Sequence, residues 1–182
     1  MLVQLGNRPP QDDDDIVGLL TACHGRIRKM LVLAHRLAEA AAAPPGEVAA
    51  TAAQIRRYFA ESFPLHLADE DEQIAPRLAG VADDVDRALV TMAAEHLEHE
   101  PAVAQLIGLC AAIAGDPRQL VALAEDLGRV AADLGARLES HLELEERAIF
   151  PYVRRLPAAD QQAMRSALRD RRDHAHGDPP GT

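Results

Sequence analysis

The chain has 182 residues, enough for one domain with a sizeable hydrophobic core. Its 29 acidic residues outnumber its 19 Lys and Arg residues, which argues against a nucleic-acid-binding protein or one that docks on anionic lipid. No run is long and apolar enough to cross a membrane, the first residues do not form a signal peptide, and two cysteines are too few for a disulfide framework, so we expect a cytoplasmic protein.

Helix-forming residues dominate the chain, and no alternating run of β-branched residues indicates a strand. Breakers such as Pro44-Pro45-Gly46 and Gly115-Asp116-Pro117 divide the chain into helical stretches. Pro64 and Pro101 lie inside two of these stretches and predict kinks. The predicted helices run from about Ile16 to Ala43, Glu47 to Ala79, Asp83 or Asp84 to Ala114, and Arg118 to Arg155, followed by a short fifth helix from Pro157 to about Arg172.

Four long helices with short connections predict an all-α protein, an antiparallel up-down-up-down four-helix bundle with a short extra C-terminal helix. We expect an N-terminal arm at residues 1–15, the bundle domain at 16–156, an accessory helix at 157–173 and a disordered tail at 174–182. The acidic run Asp12 to Asp15 is expected to cap the first helix.

The two halves of the chain repeat one motif. Residues 66–76 and 141–151 both read HLxxExxxIxP. A further His lies on the helix before each copy, at His24 and at His96. The sequence therefore predicts two related helical hairpins, each with one His on its first helix and a His-xxx-Glu pair on its second.

The spacing of these pairs is that of metal ligands. A His and a Glu four residues apart lie on one face of a helix, one turn apart, as do His66 with Glu70 and His141 with Glu145. Mixed nitrogen and oxygen ligands suit iron, manganese or zinc better than calcium or magnesium. Inward Glu and His on facing bundle helices are how carboxylate-bridged di-metal sites are built.

The chain lengths between these residues decide whether they meet at one level of the bundle. About 19 residues separate His24 from the first turn and that turn from His66, and about 14 lie on each side of the next turn before His96. The third crossing is less even, because about 19 residues lead from His96 to Gly115 but about 26 lead from there to His141. The excess is about 10 Å, which we expect an irregular connection or the Pro101 kink to absorb.

Six side chains form the predicted site, with two His for each of two metals and two bridging Glu: His24, His66, Glu70, His96, His141 and Glu145. Whether His99, Glu100 or Glu146 also binds metal is left open. Asp71 and Glu146 are expected to be solvated, or to hydrogen-bond a ligand. The remaining polar and aromatic candidates are expected to pack or to lie too far away: Cys23, Cys110, Tyr58, Tyr152 and His35. Phe59 and Phe63 are expected to wall the site.

The H…HxxxE…H…HxxxE arrangement on four helices resembles the hemerythrin-like, or HHE cation-binding, domain over about Ile16 to Leu156. The ExxxIxP run after each ligand pair is also typical of that family. The resemblance implies a four-helix bundle around a non-haem centre of two iron ions, Fe2+ or Fe3+, with an oxo or hydroxo bridge in some states. It carries the same six residues over as ligands.

One departure separates the chain from the oxygen-carrying hemerythrins, which use five His and two carboxylates. A second His four residues from His96 would fall at Met92 or Glu100, and neither is His. On the last long helix the repeat favours Glu145 over Glu146 as the carboxylate. The chain is therefore predicted to be closer to hemerythrin-like proteins that react with peroxide or nitric oxide, and to the iron- and oxygen-sensing hemerythrin domain of a ubiquitin-ligase subunit.

We expect a catalase-like or peroxidase-like oxidoreductase acting on H2O2 or a related small oxidant, O2 or NO. One alternative is a non-enzymatic sensor, carrier or store for O2, NO or iron. Others are a di-iron oxygenase or oxidase acting on an organic substrate, and a zinc site. Small molecules rather than nucleic acid or membrane are the expected partners, and the oligomeric state is left open.

Overall fold

The computed structural model describes residues 15–176, and all regular structure in that range is helical. Eight α-helices follow one another along the chain: α1 (Ile16–Ala38), α2 (Pro45–Arg57), α3 (Phe63–Asp69), α4 (Ala75–Leu78), α5 (Asp83–Gly115), α6 (Leu120–Leu144), α7 (Phe150–Val153) and α8 (Ala158–His176). Short helices of other types lie between them: π-helical segments at Tyr58–Ser62, Glu70–Ile74 and Glu145–Ile149, and a 3-10 helix at Pro117–Gln119.

The π-helical segments join the shorter helices into long rods, because the residues that flank each segment keep helical backbone angles. Residues 45–78 form the second rod and residues 120–153 the fourth rod, while α1 is the first and α5 the third. With α8, the described residues therefore form five long helical stretches. The prediction of an all-α protein is confirmed for this part of the chain.

The helix ends differ most from the predicted ones at two places. The first rod ends at Ala38 rather than near Ala43, and the amide of Ala40 turns back to bond the carbonyl of Leu37. Pro44 disfavours the helical conformation only at Ala43, directly before it, so the helix ends five residues ahead of the position that this proline restricts. α8 continues to His176, three residues into the expected tail (residues 174–176). Residues 1–14 of the expected arm and 177–182 of the tail lie outside the described residues.

The four rods pack in a ring. The first rod contacts the second and the fourth, and α5 also contacts both of these rods. Buried apolar residues from all four rods fill the interior, and α8 adds Met164 and Leu168 to one end of it. Mutual burial of these apolar faces is what holds amphipathic helices together.

The core is divided into two apolar clusters with a polar layer between them. On the first rod, Leu20 belongs to one cluster and Ile27 to the other, with His24 between them. On α5, Met92 and Leu106 belong to different clusters on either side of His96. The predicted ligands of these rods therefore lie at one level, inside the protein. Within residues 15–176, no helix is both long enough and apolar enough to cross a membrane.

Candidate metal centre

Each copy of the repeated motif contains a π-helical turn that begins at its Glu. The segments are Glu70–Ile74 and Glu145–Ile149, and a proline follows each one after a single residue, at Pro76 and Pro151. Proline has no N–H to donate, and its ring clashes with the carbonyl four residues back. The residue before each proline bonds instead to the carbonyl of the Glu, five residues back. The proline of the ExxxIxP run thus accounts for a wide turn at the Glu, and such turns are frequent at functional sites.

All six predicted ligands meet in the polar layer, and all of them are buried: His24, His66, Glu70, His96, His141 and Glu145. They form two groups that share both Glu residues. His24 and His66 complete one group, and His96 and His141 complete the other. Within each group the potential ligand atoms lie within 4.8 Å of one another, a separation that one metal ion can span.

The two carboxylates divide their oxygens between the groups. Oε1 of Glu70 lies 3.1 Å from Nε2 of His66, and Oε2 lies 3.2 Å from Nε2 of His96. Glu145 does the same, with Oε2 at 3.0 Å from Nε2 of His24 and Oε1 at 2.8 Å from Nε2 of His141. Each Glu therefore presents one oxygen to each group, which is the arrangement of a carboxylate that bridges two ions.

The atoms that face each other in these groups lack hydrogen-bond partners among the described residues. They are Nε2 of all four His and both carboxylate oxygens of Glu70 and Glu145. A buried polar atom without a partner is costly, and a neutral imidazole Nε2 facing a carboxylate oxygen sets two lone pairs against each other. Two ligands held about 2.1 Å from one ion at a right angle would be about 3 Å apart, as these atoms are. The donor set therefore fits a pair of divalent cations.

The uneven third crossing is resolved by the connection between α5 and α6. Residues 116–119 form a turn and a 3-10 helix, so the fourth rod starts only at Leu120. From Leu120 to His141 the rod is nearly as long as α5 is from His96 to Gly115. An irregular connection therefore absorbs most of the excess, as expected, and α5 continues through Pro101 as helix.

The family model for the hemerythrin HHE cation-binding domain matches residues 15–153. The chain belongs to this family. The match includes all six residues of the two groups and ends before α8. Searches of curated proteins and of solved structures gave no significant match.

Carboxylates orient three of the four imidazole rings of the HHE domain. Nδ1 of His24 donates to Glu146 at 2.8 Å, and Nδ1 of His141 donates to Glu95 at 2.8 Å. Oδ1 of Asp71 lies 3.3 Å from Nδ1 of His96. A carboxylate at Nδ1 fixes the tautomer, so that the Nε2 lone pair points into the site, and it makes the ring a better ligand.

Two of these carboxylates, Asp71 and Glu146, were expected from the sequence to be solvated or to hydrogen-bond a ligand, and the third was missed. Asp71 and Glu146 each come directly after a ligand Glu, and each contacts the ring of a His from the other half of the chain. Arg28 also donates to Glu146 at 2.9 Å. Glu95 was not singled out from the sequence. Its only signal is its position directly before His96, since its contact with His141 depends on how α5 and α6 pack.

Aromatic rings lie against the imidazoles of the first group. The Phe63 ring centre is 6.3 Å from that of His66, and the Phe150 ring centre is 5.0 Å from that of His24. Phe59 is buried against Phe63, one ring further from His66. These rings place apolar surface beside the first group, a position expected for Phe59 and Phe63 but not for Phe150.

Burial and mutual charge set the protonation of the centre. Burial raises the pKa of Glu70 well above its ordinary value, and the nearby negative charge of Glu145 raises it further. Burial also acts to raise the pKa of Glu145, but the rings of His141 and His24 outweigh it and lower that pKa. Burial lowers the pKa of His66 to about 3, so its ring is neutral near pH 7. The raised pKa means that a cation binding at Glu70 competes with a proton there.

The residues left open lie outside the two groups. Glu146 contacts His24 from outside the cluster, and Glu100 is exposed. His99 is buried with its ring edge-on to His141 at 5.3 Å, and burial lowers its pKa to about 4.

The other candidates are placed as follows. Tyr152 donates a hydrogen bond to Asp84 at 2.7 Å, and Tyr58 packs edge-on against Phe59. Both cysteines are buried and neither forms a disulfide. His35 is exposed.

Proposed function

We propose that the protein is an oxidoreductase that holds two iron ions between its His and Glu side chains and reacts with H2O2 or a related small oxidant, O2 or NO. The observation that carries the proposal is the division of both carboxylates between two groups of imidazoles. A closed structural zinc site needs neither two shared carboxylates nor two adjacent groups. The nitrogen and oxygen donor set suits iron.

Each residue has a defined task in this proposal. His24 and His66 would hold one ion and His96 and His141 the other, with Glu70 and Glu145 bridging the two. Bound iron supplies Fe2+/Fe3+ redox chemistry, without haem. Six side chains for two ions leave coordination positions for a small molecule.

The surrounding residues prepare the ligands. Glu95 and Glu146 hold a proton at Nδ1 of His141 and His24, so that the Nε2 of each ring stays a free lone pair, and Asp71 lies near Nδ1 of His96. Glu70 is the site for a proton when no cation is bound, because its pKa is raised. Phe63 and Phe150 limit the access of water.

We infer an antiparallel up-down-up-down order of the four rods, which the short connections and the ring of contacts support. We also infer the domain limits expected from the sequence, with the bundle at 16–156 followed by an accessory helix. The acidic net charge supports small molecules rather than nucleic acid or membrane as partners, in the cytoplasm.

A non-enzymatic sensor is the second candidate, and one contact favours it. Asp69, directly before Glu70, is fully buried, accepts a hydrogen bond from Arg171 and forms an ion pair with Arg172, both of α8. A movement of Glu70 on metal binding would be transmitted to α8 through Asp69 and its two Arg partners. A sensor would show metal-dependent protection of α8 from hydrogen exchange together with negligible peroxide consumption.

Metal content and peroxide consumption test the leading proposal. Protein produced with added iron should contain close to two irons per chain and consume H2O2. Glu70→Ala and His141→Ala should lose metal and turnover, while Glu125→Ala, a change at an exposed residue of α6, should keep both. Zinc alone, no metal, or full turnover in Glu70→Ala would contradict the proposal.

A further inference from the structure

His66 differs from the other three imidazoles of the centre. Its Nδ1 is buried and has neither a hydrogen-bond partner nor a nearby carboxylate among the described residues, whereas Nδ1 of His96, also without a hydrogen bond, lies 3.3 Å from Oδ1 of Asp71. In the repeat, His66 corresponds to His141, whose Nδ1 is bonded to Glu95. Glu95 comes directly before His96, and the residue directly before His24 in the other half is Cys23. The first half of the chain therefore has a thiol, a weak acceptor, where the second half has a carboxylate.

A cavity of about 290 Å³ adjoins His66. Most of its lining side chains carry an N–H, O–H or S–H group: Cys23, Arg26, Tyr58, Ser62, His66 and Arg172. None of the described residues that line it is Asp or Glu. The cavity is therefore rich in donors and poor in acceptors, and it has room for several molecules the size of water.

Two guanidinium groups converge on the thiol that replaces the carboxylate. Nη2 of Arg26 lies 3.0 Å from Sγ of Cys23, and Nη2 of Arg172 lies 3.5 Å from it. Asp69 also pairs with Arg172, whereas no described carboxylate forms an ion pair with Arg26. The positive charges of Arg26 and Arg172 therefore lie beside His66, whose Nδ1 has no hydrogen-bond partner in the part of the chain that the structure describes. In the other half of the chain, Glu95 supplies a carboxylate at the equivalent position.

We propose that this cavity binds a small planar oxyanion of carboxylate chemistry, which accepts a hydrogen bond from Nδ1 of His66 and lies against Arg26 and Arg172. The bound anion does for His66 what Glu95 does for His141. It orients the ring and makes its Nε2 a stronger ligand. Charge-assisted hydrogen bonds to a guanidinium favour such an anion over water or chloride.

The inference rests on the proposed metal role of His66 in one respect, because an Nε2 lone pair aimed at an ion leaves the ring proton on Nδ1. The anion is therefore titrated into the full chain both as purified and after chelation, and metal content is measured on the same samples. A chain that binds no iron but binds the anion would disprove the proposed function and leave this inference standing.

Formate is the probe, followed by calorimetry at constant ionic strength with chloride as the reference salt. Wild-type protein should bind one formate per chain, and Arg26→Gln should weaken binding about tenfold. Arg129→Gln, at an exposed position on α6, is the matched control and should bind as the wild type does. Nitrite in place of formate separates carboxylates from nitrogen oxyanions as the preferred class. Absence of saturable formate binding, tighter binding of nitrite than of formate, or equal affinities in the two variants would overturn the inference.

A second variant tests the position of the anion. Cys23→Glu places a carboxylate at the position equivalent to Glu95, so it should abolish formate binding and raise the melting temperature. Cys23→Ser leaves the cavity without a carboxylate and should still bind formate. Wild-type formate affinity in a folded Cys23→Glu variant would contradict the proposed position. If that variant does not fold, the comparison of Arg26→Gln with Arg129→Gln still decides.

Discussion

Nη2 of Arg172 lies 2.7 Å from Oδ2 of Asp69, so the C-terminal helix is anchored on the residue directly before Glu70. Arg171 bonds the other oxygen of Asp69 at 2.9 Å. Asp69 is fully buried, whereas both guanidinium groups are partly exposed. α8 lies outside the family match, yet it is joined to the candidate metal centre through a buried carboxylate.

Loss of the Asp69 charge should release α8. Asp69→Asn leaves two guanidinium groups without their shared partner, and we expect the free energy of unfolding to fall by about 1–3 kcal/mol. Hydrogen exchange of residues 158–176 should rise more than that of α5. Glu72→Gln removes only an exposed contact of Arg171 and should change α8 far less. Equal exchange of α8 in both variants would contradict its anchoring by Asp69.

The proline of the second motif should matter for metal binding rather than for stability. Pro151→Ala restores an N–H inside the fourth rod and favours a regular α-helical turn, which would rotate Glu145 away from the centre. We expect at least tenfold weaker metal binding, while the free energy of unfolding of the metal-free protein is unchanged or higher. Pro101→Ala in α5, away from the π-helical segments, should keep wild-type metal affinity. The idea fails if Pro151→Ala binds metal as tightly as Pro101→Ala.

Glu95 should act on the metal through His141. Glu95→Gln keeps the shape of the side chain but removes the charge that holds the ring, so metal affinity should fall about 10- to 100-fold. The pKa of His141, which Glu145 and Glu95 raise, should fall in the metal-free protein and can be followed by NMR titration. Glu98→Gln, an exposed change three residues along α5, serves as the comparison. Identical affinities in the two variants would remove Glu95 from this role.

His99 should make the metal-free protein sensitive to acid. Burial lowers its pKa to about 4 in the folded chain, below its ordinary value of 6.5. Between these two values the unfolded chain binds the proton and the folded chain does not, so stability falls as pH drops from 6.5 to 4. We expect His99→Gln to remove about 1–2 kcal/mol of this loss in urea unfolding. His35→Gln, at an exposed position, should leave the pH profile unchanged.

The helices and the six candidate ligands could be predicted because their signals are local. A His and a Glu four residues apart share a helix face whatever surrounds them, and the repeat of His66 and Glu70 at His141 and Glu145 made that pattern specific. The meeting of His96 with His141 was harder to predict, because it depended on where α6 begins after the turn.

The features that escaped prediction depend on tertiary packing or on hydrogen bonds that periodicity does not reveal. Glu95 reaches His141 only because α5 and α6 are neighbours, and the contact of Asp69 with Arg172 spans most of the chain. The π-helical turns at Glu70 and Glu145 do not change the spacing of the apolar residues. The proline after each turn was noted as part of the motif, but its effect on the backbone was not predicted.

The division of the carboxylate oxygens makes the two halves of the chain interdependent. Each half of the chain supplies two imidazoles and one Glu oxygen to one group. The second oxygen of the same Glu faces the group formed by the other half. A single hairpin thus has three of the four residues it needs, and a second copy related by a twofold axis would bring the fourth to each. The centre is in this sense the interface of a dimer whose two subunits are joined in one polypeptide.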